Sequence, residues 1–162
     1  MHFPPEFITA LIGMLPITEI RGAIPVGVYL GLSLESAFFW ALLGNTIPLM
    51  VGLWLLKPIS QVLMKHSKWF HKFFSKIFEH TRDKFGQRFE KVGAIFLISL
   101  TSIPLPGTGA YTGAILAFLF DVPYWHALAY LFIGMLISGG LVTLGVGTAT
   151  HIPDFLNFFI GK

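Results

Sequence analysis

The sequence predicts an all-α integral membrane protein with two re-entrant helical hairpins, each followed by a transmembrane helix, in an inverted repeat joined by an interfacial amphipathic linker helix. Of the 162 residues, 54% are hydrophobic and 12% are charged, whereas roughly 25% of the residues in a soluble domain are charged. Two uncharged stretches are long enough to cross a bilayer, and two further apolar stretches are interrupted by proline and glycine. A soluble chain of this length could not bury so much apolar surface in one core.

The predicted spans are residues 36–56 and 122–150, neither of which contains Asp, Glu, Lys or Arg. Roughly 20 apolar residues cross the hydrocarbon core, so each stretch can form a transmembrane helix. The second span carries a series of small residues, which are Gly134, Ser138, Gly139, Gly140, Thr143, Gly145 and Gly147. We interpret these small residues as a face for close helix packing.

The other two apolar stretches carry the predicted hairpin breakers, which are Pro16, Pro25, Pro104 and Pro106. Proline lacks an amide donor and clashes with the preceding helical turn, so it interrupts a straight helix. The arms around each break measure about 14–16 Å at 1.5 Å per residue, or half a bilayer. Each stretch is therefore predicted to enter and leave on one side, with the irregular tip buried in protein or facing water. Four plain spans remain the alternative, and the two topologies differ in the side of the C-terminus.

One membrane domain is predicted over residues 1–162, with repeat 1 at 5–56, a linker at 57–91, repeat 2 at 92–150 and a short tail at 151–162. An offset of 86 residues aligns five identical pairs, which are Gly27 with Gly113, Leu30 with Leu116, Ala41 with Ala127, Leu42 with Leu128 and Ile47 with Ile133. An odd number of crossings in each half would make the repeat inverted, a plan common among transporters.

The linker holds nine of the eleven Lys and Arg residues. Since apolar stretches flank it on both sides, this cluster favours a cytoplasmic loop of a multi-pass protein in the cell membrane, and not a nucleic-acid surface. Between residues 65 and 92 the apolar side chains recur at helical spacing and are mostly aromatic. A basic helix with such a stripe lies at the membrane interface, where anionic lipid headgroups are its expected partners. It can recruit a lipid substrate or serve as a passive anchor.

Glu19 and Arg21 are the only charges inside the predicted membrane zone of the first hairpin. Intramembrane charges are costly, by at least about 2.5 kcal/mol each, and usually face a cavity or a partner. Two residues apart, they do not face each other on a regular helix, but they could meet at an unwound tip. We expect Glu19 to carry a coupling proton and Arg21 to bind substrate; a purely structural ion pair is the alternative.

The remaining predicted substrate-binding residues are Gly107, Thr108, Gly109, Tyr111 and Asn45. Free amides at the start of the second arm of the second hairpin can bind an anion. If the two hairpin tips meet, these amides and Arg21 would converge on one phosphate or carboxylate. The alternatives are that the glycines only permit tight packing and that Asn45 bonds across helices.

Neither an enzyme nor a metalloprotein is expected. No Ser-His-Asp or paired-carboxylate arrangement has a recognisable context. The linker histidines His66, His71 and His80 are not spaced to place ligands on one helix face. The chain has no cysteine, and no cofactor is predicted.

The stretch Glu19-Ile-Arg21-Gly22-Ala-Ile-Pro25-Val-Gly27 resembles the signature of the small multidrug export protein family. The stretch Pro104-Leu-Pro106-Gly107-Thr-Gly-Ala-Tyr111-Thr-Gly113 is similar to a motif of the wider DedA, or VTT-domain (SNARE-associated), superfamily. The resemblance covers nearly the whole chain. It implies the hairpin-and-span inverted repeat, an essential acid at Glu19 and membrane transport, since superfamily members move lipids such as polyprenyl-phosphate carriers and some need the proton gradient. Thr101 and Ser102 stand where DedA proteins tend to have an arginine.

The expected function is therefore DedA-like transport of a phosphate-bearing lipid or another small anionic amphiphile, coupled to protons through Glu19. Proton-coupled multidrug efflux is the first alternative, and a non-transporting membrane scaffold is the second. The small size of the chain leaves a homodimer open.

Overall fold

A computed structural model describes residues 3–66, 92–104 and 109–160. These residues form six helices, which are α1 (Pro5–Met14), α2 (Glu19–Tyr29), α3 (Leu34–His66), α4 (Val92–Ser102), α5 (Ala110–Leu119) and α6 (Tyr124–Ile160). The all-helical prediction is confirmed for this part of the chain. The interfacial linker helix falls mostly on residues 67–91, which lie outside the described residues.

Helices α3 and α6 contain the two segments that are long and apolar enough to cross a membrane, Leu34–Ser60 and Tyr124–Ala149. Only 28% and 33% of their most apolar windows are buried within the protein. The core helix of a soluble protein would be mostly buried, so these exposed apolar surfaces fit contact with lipid. Both helices continue beyond the predicted spans, to His66 and Ile160, because hydropathy marks the apolar part of a helix and not its ends.

Each predicted hairpin contains two short helices separated by a break. Pro16 lies in the break between α1 and α2, and Pro104 follows α4. Pro25 was wrongly predicted to break a helix, since it lies inside α2, which continues across it to Tyr29. A helix in a packed protein tolerates one missing amide donor when its surroundings compensate. Pro106 is outside the described residues.

The described chain divides into two compact units. Unit 1 comprises Met1–Asn45 and Leu136–Lys162, and unit 2 comprises Thr46–Met135. Unit 1 therefore contains α1 and α2 with the start of α3 and the second part of α6. Its core includes Ile20, Ala23, Ile24 and Ala41.

A glycine brings two helix backbones into contact within each unit. In unit 1, a Cβ added to Gly44 of α3 would collide with the backbone carbonyl of Ala10 in α1. In unit 2, a Cβ on Gly134 of α6 would lie 3.0 Å from the Ile98 carbonyl oxygen of α4 and 2.6 Å from Thr101 Cβ. Small residues permit such approaches between membrane helices.

The buried positions of α2 and α5 correspond at an offset of 90 residues. The matching pairs are Ile20 with Ala110, Ala23 with Gly113, Ile24 with Ala114 and Gly27 with Ala117. The glycine contacts of Gly44 and Gly134 show the same offset. The offset of 86 predicted from sequence identities differs by four residues, about one helical turn, which leaves apolar faces aligned.

The turn after α2 requires a left-handed backbone conformation. Gly31 has φ +94°, its N–H donates to the Val28 carbonyl, and the next amide, of Leu32, donates to Gly27. This is the Schellman arrangement, in which glycine avoids the Cβ strain of the left-handed region. Asp121 occupies the same place after α5 with φ +52°.

Replacing Gly31 with Ala is expected to lower the free energy of unfolding by about 1–2 kcal/mol through this backbone strain. No atom lies within 4 Å of the added Cβ, so packing does not contribute. Gly31→Asn should lose less, because asparagine tolerates this conformation. Gly140→Ala is the control, since Gly140 lies in α6 with no atom within 4 Å of its Cβ position. Thermal unfolding in detergent measures all three, and equal stabilities for the two Ala variants would contradict the prediction.

Candidate functional site

The first hairpin tip, residues 15–18, is held by hydrogen bonds back to α1. The Leu15 N–H donates to the Ile12 carbonyl at 3.2 Å, and the Thr18 hydroxyl donates to the same carbonyl at 2.7 Å. The Glu19 N–H then donates to the Leu15 carbonyl at 2.9 Å. These bonds satisfy the amide N–H groups of Leu15 and Glu19 on either side of the break at Pro16, just before α2 continues.

Glu19, the first residue of α2, has the left-handed φ of +48°. A non-glycine residue in this region carries about 1–3 kcal/mol of strain, and such outliers cluster at functional sites. Arg21 Nη2 lies 3.5 Å from Glu19 Oε2. Residues two apart on a regular helix face different directions, so the irregular backbone at Glu19 allows the ion pair that a regular helix would prevent.

The Glu19–Arg21 pair lies largely out of contact with solvent. The Glu19 side chain is 7% exposed and the Arg21 side chain is 16% exposed. Taking two such charges out of water carries a large desolvation penalty, so a buried ion pair is weak evidence for a purely stabilising role. The pair is neutral as a whole, and it becomes cationic when Glu19 binds a proton.

Asn45 lies inside unit 1, close to the end of α1. Its backbone nitrogen is 3.4 Å from the position a Cβ would take on Gly13. The Asn45 side chain is fully buried, and neither Oδ1 nor Nδ2 has a hydrogen-bond partner among the described residues. The alternative prediction was a hydrogen bond from Asn45 across helices, and the described residues do not show one.

Ser138 of α6 is a polar residue of unit 1 that the sequence prediction assigned to packing. It is 1% exposed, and its hydroxyl likewise has no hydrogen-bond partner within the described part of the chain. The glycines around it in the sequence suggested helix packing and gave no indication that this hydroxyl lacks a partner among the described residues.

The second hairpin belongs to unit 2 and differs in chemistry. Gly109 caps the start of α5 without a side-chain cap bond, and Tyr111 is half-buried in its first turn. The Thr101 and Ser102 hydroxyls donate to carbonyls of their own helix, Leu97 and Ile98, at 2.9 and 2.7 Å. Gly107 and Thr108 lie outside the described residues, so the convergence of this hairpin with Arg21 stays a prediction.

No group of three or more His, Asp or Glu residues that could hold a metal ion occurs within residues 3–66, 92–104 and 109–160. Near the first hairpin tip, the charged side chains that the structure describes are Glu19 and Arg21.

Two long apolar helices with largely exposed surfaces, together with a buried ion pair beside a helix break, define a helical membrane protein with a charged internal site. Residues 19–141 match the family model described as "Putative small multi-drug export protein". This match covers well over half of the chain, so the protein belongs to the small multi-drug export protein family. It begins at Glu19 and includes the whole ion pair. No curated protein and no solved structure matches the chain.

Proposed function

We propose that this protein is a transporter of the cytoplasmic membrane that moves small amphipathic molecules, with Glu19 and Arg21 as the pair that couples cargo to protons. The carrying observation is their ion pair, 3.5 Å long and largely buried, beside a hairpin tip where Glu19 is held with φ +48°. Strain and intramembrane charge at one residue are both features of functional sites. The description of its family supports a role in transport, and it names export as the direction for drugs.

The ion pair supplies a physical route to coupling. An anionic cargo that binds Arg21 takes the place of the Glu19 carboxylate. A carboxylate that loses its counter-charge inside a protein favours the protonated form. Anion and proton would therefore bind together and move in the same direction.

Two cargo classes follow from the same pair. Arg21 favours an anionic amphiphile, such as a lipid that carries a phosphate. The family description favours drug export, and a hydrophobic cation would instead compete with the proton for Glu19 and move in the opposite direction. The direction of proton movement separates the two classes. An anionic cargo would move with the proton, whereas a cationic cargo would move against it.

The test uses purified protein in liposomes with a defined pH gradient and a pH-sensitive dye inside. Two probes are compared: a fluorescent lipid with one phosphate group and a fluorescent hydrophobic cation. Protein-dependent movement of the phosphate lipid with protons in the same direction supports the anion candidate. Movement of the cation against protons supports drug export. If neither probe moves with folded protein, the transport proposal is abandoned in favour of a membrane scaffold.

The remaining elements of the proposal follow from the sequence. We infer that the hairpins are re-entrant, that the two halves form an inverted repeat, and that the basic linker 57–91 faces the cytoplasm and contacts anionic headgroups. The proposed role requires neither catalysis nor a cofactor. Membership of the wider DedA superfamily is part of the same proposal.

A further inference from the structure

Unit 1 contains two uncharged polar side chains whose hydrogen-bonding capacity is unused. Asn45 is 0% exposed and Ser138 is 1% exposed, and no partner for either side chain lies in the described chain. A buried polar group without a partner costs about 1–3 kcal/mol. Packing alone would favour an apolar residue at both positions, as at the buried Ala41 of the same unit.

The contacts between α3 and α6 limit how far apart these two side chains lie along the helix axes. A Cβ on Gly147 would lie 3.2 Å from Leu34 Cδ1, and a Cβ on Gly139 would lie 2.6 Å from Phe38 Cε2. The two helices therefore run antiparallel in unit 1. Counting 1.5 Å per residue from these contacts, Asn45 and Ser138 are separated along the helix axes by about two turns or less.

The ion pair belongs to the same region. The Cβ position of Gly139, next to Ser138 in sequence, also lies 2.7 Å from Ile20 Cδ1. Ile20 is the residue between Glu19 and Arg21. Both Asn45 and Ser138 fall near the middle of the segments Leu34–Ser60 and Tyr124–Ala149. One unit thus holds charged and neutral polar groups at mid-span depth, where lipid offers them no hydrogen bonds.

We propose that Asn45 and Ser138 form a neutral hydrogen-bonding subsite beside the ion pair, which binds the hydroxyl groups of a phosphate-bearing polar headgroup and is filled by water when cargo is absent. This inference rests on the proposed function, and specifically on its anionic candidate. Both side chains carry a donor and an acceptor, which matches a hydroxyl group. An unfilled site would leave three polar atoms unsatisfied, whereas water or a headgroup satisfies them.

The absence of cysteine from the chain allows a direct test. Ser138→Cys and Asn45→Cys each introduce one thiol, and Ala41→Cys is the matched control, because Ala41 is 0% exposed in the same unit but packs in the apolar core. A charged, membrane-impermeant thiol reagent is applied to protein in liposomes. A thiol reacts as its thiolate, which requires water. We expect Ser138→Cys and Asn45→Cys to react at least about tenfold faster than Ala41→Cys.

Glycerol 3-phosphate, which carries both a phosphate and hydroxyl groups, should slow the labelling of Ser138→Cys more than inorganic phosphate does. The proposal is overturned if Ser138→Cys and Asn45→Cys react no faster than Ala41→Cys. Rapid labelling without protection by glycerol 3-phosphate overturns the headgroup subsite. Adding Arg21→Ala to Ser138→Cys tests the proposed function separately. If glycerol 3-phosphate protects the thiol equally well without Arg21, the role of Arg21 in the proposed function is wrong.

A stability measurement guards against variants that do not fold. If the region is dry and Ser138 only packs, Ser138→Ala removes an unsatisfied hydroxyl and raises the melting temperature in detergent. The subsite predicts no rise, because the Ser138 hydroxyl already bonds to water. A clear rise in the melting temperature contradicts the subsite.

Discussion

Glu19→Gln is expected to abolish proton-coupled transport, and also to lower stability because it leaves the largely buried Arg21 charge unpaired. Glutamine keeps the size of the side chain and one acceptor oxygen, replaces the other oxygen with an amide donor, and cannot gain or lose the proton. We expect the pH gradient to lose its effect on transport, with a fall in rate of at least about tenfold, which corresponds to about 1.4 kcal/mol of activation free energy. Initial rates in liposomes with and without a pH gradient measure the effect.

The change Arg21→Ala should abolish anion transport and also weaken the fold. Removing one partner of a buried ion pair costs about 3–5 kcal/mol, because the other charge is left in the interior. The charge left behind is the Glu19 carboxylate, which is 7% exposed, and it can avoid part of this cost by binding a proton. A folded Arg21→Ala protein that transports an anionic probe normally would contradict the role assigned to Arg21.

The second large effect is structural. Gly44→Val is expected to destroy the packing of α1 on α3, because its Cβ would overlap the backbone carbonyl of Ala10. Overpacking typically costs about 1–3 kcal/mol when side chains can move aside. A backbone carbonyl in a helix cannot rotate away, so we expect the loss to reach or exceed the upper end of that range. Yield of monodisperse protein and thermal unfolding in detergent report the effect.

Gly52→Ala provides the matched control for Gly44. Both glycines lie in α3, but no atom lies within 4 Å of the Cβ position at Gly52. Alanine should be neutral there or stabilise the helix by up to about 1 kcal/mol. Gly44→Ala should still be destabilised relative to Gly52→Ala, and the opposite order would show that α1 does not pack as described.

Much of the fold follows from the sequence because bilayer thickness and proline chemistry constrain it. The two spans are long uncharged stretches, and the break at Pro16 removes an amide that a continuing helix needs. Pro25 has the same local chemistry but lies inside α2. Whether a helix stops or continues at a proline depends on what replaces the lost hydrogen bond, and that depends on tertiary neighbours.

The candidate site was only partly accessible from the sequence. Glu19 and Arg21 are visible as charges in an apolar stretch, whereas their pairing depends on the backbone conformation at Glu19. Ser138 carries no such signal, because serine beside glycines is common where membrane helices pack closely. Its unsatisfied hydroxyl becomes apparent only when burial and partners are known.

The most direct measurement is transport by the double variant Glu19→Gln/Arg21→Gln in liposomes, with unfolding recorded on the same preparation. Removing both charges avoids an unpaired buried ion, so the double variant should be at least as stable as either single variant. The account predicts a folded protein that moves neither the phosphate lipid nor protons. A folded double variant that transports at the rate of the unmodified protein would show that the ion pair is a structural feature and not the coupling site.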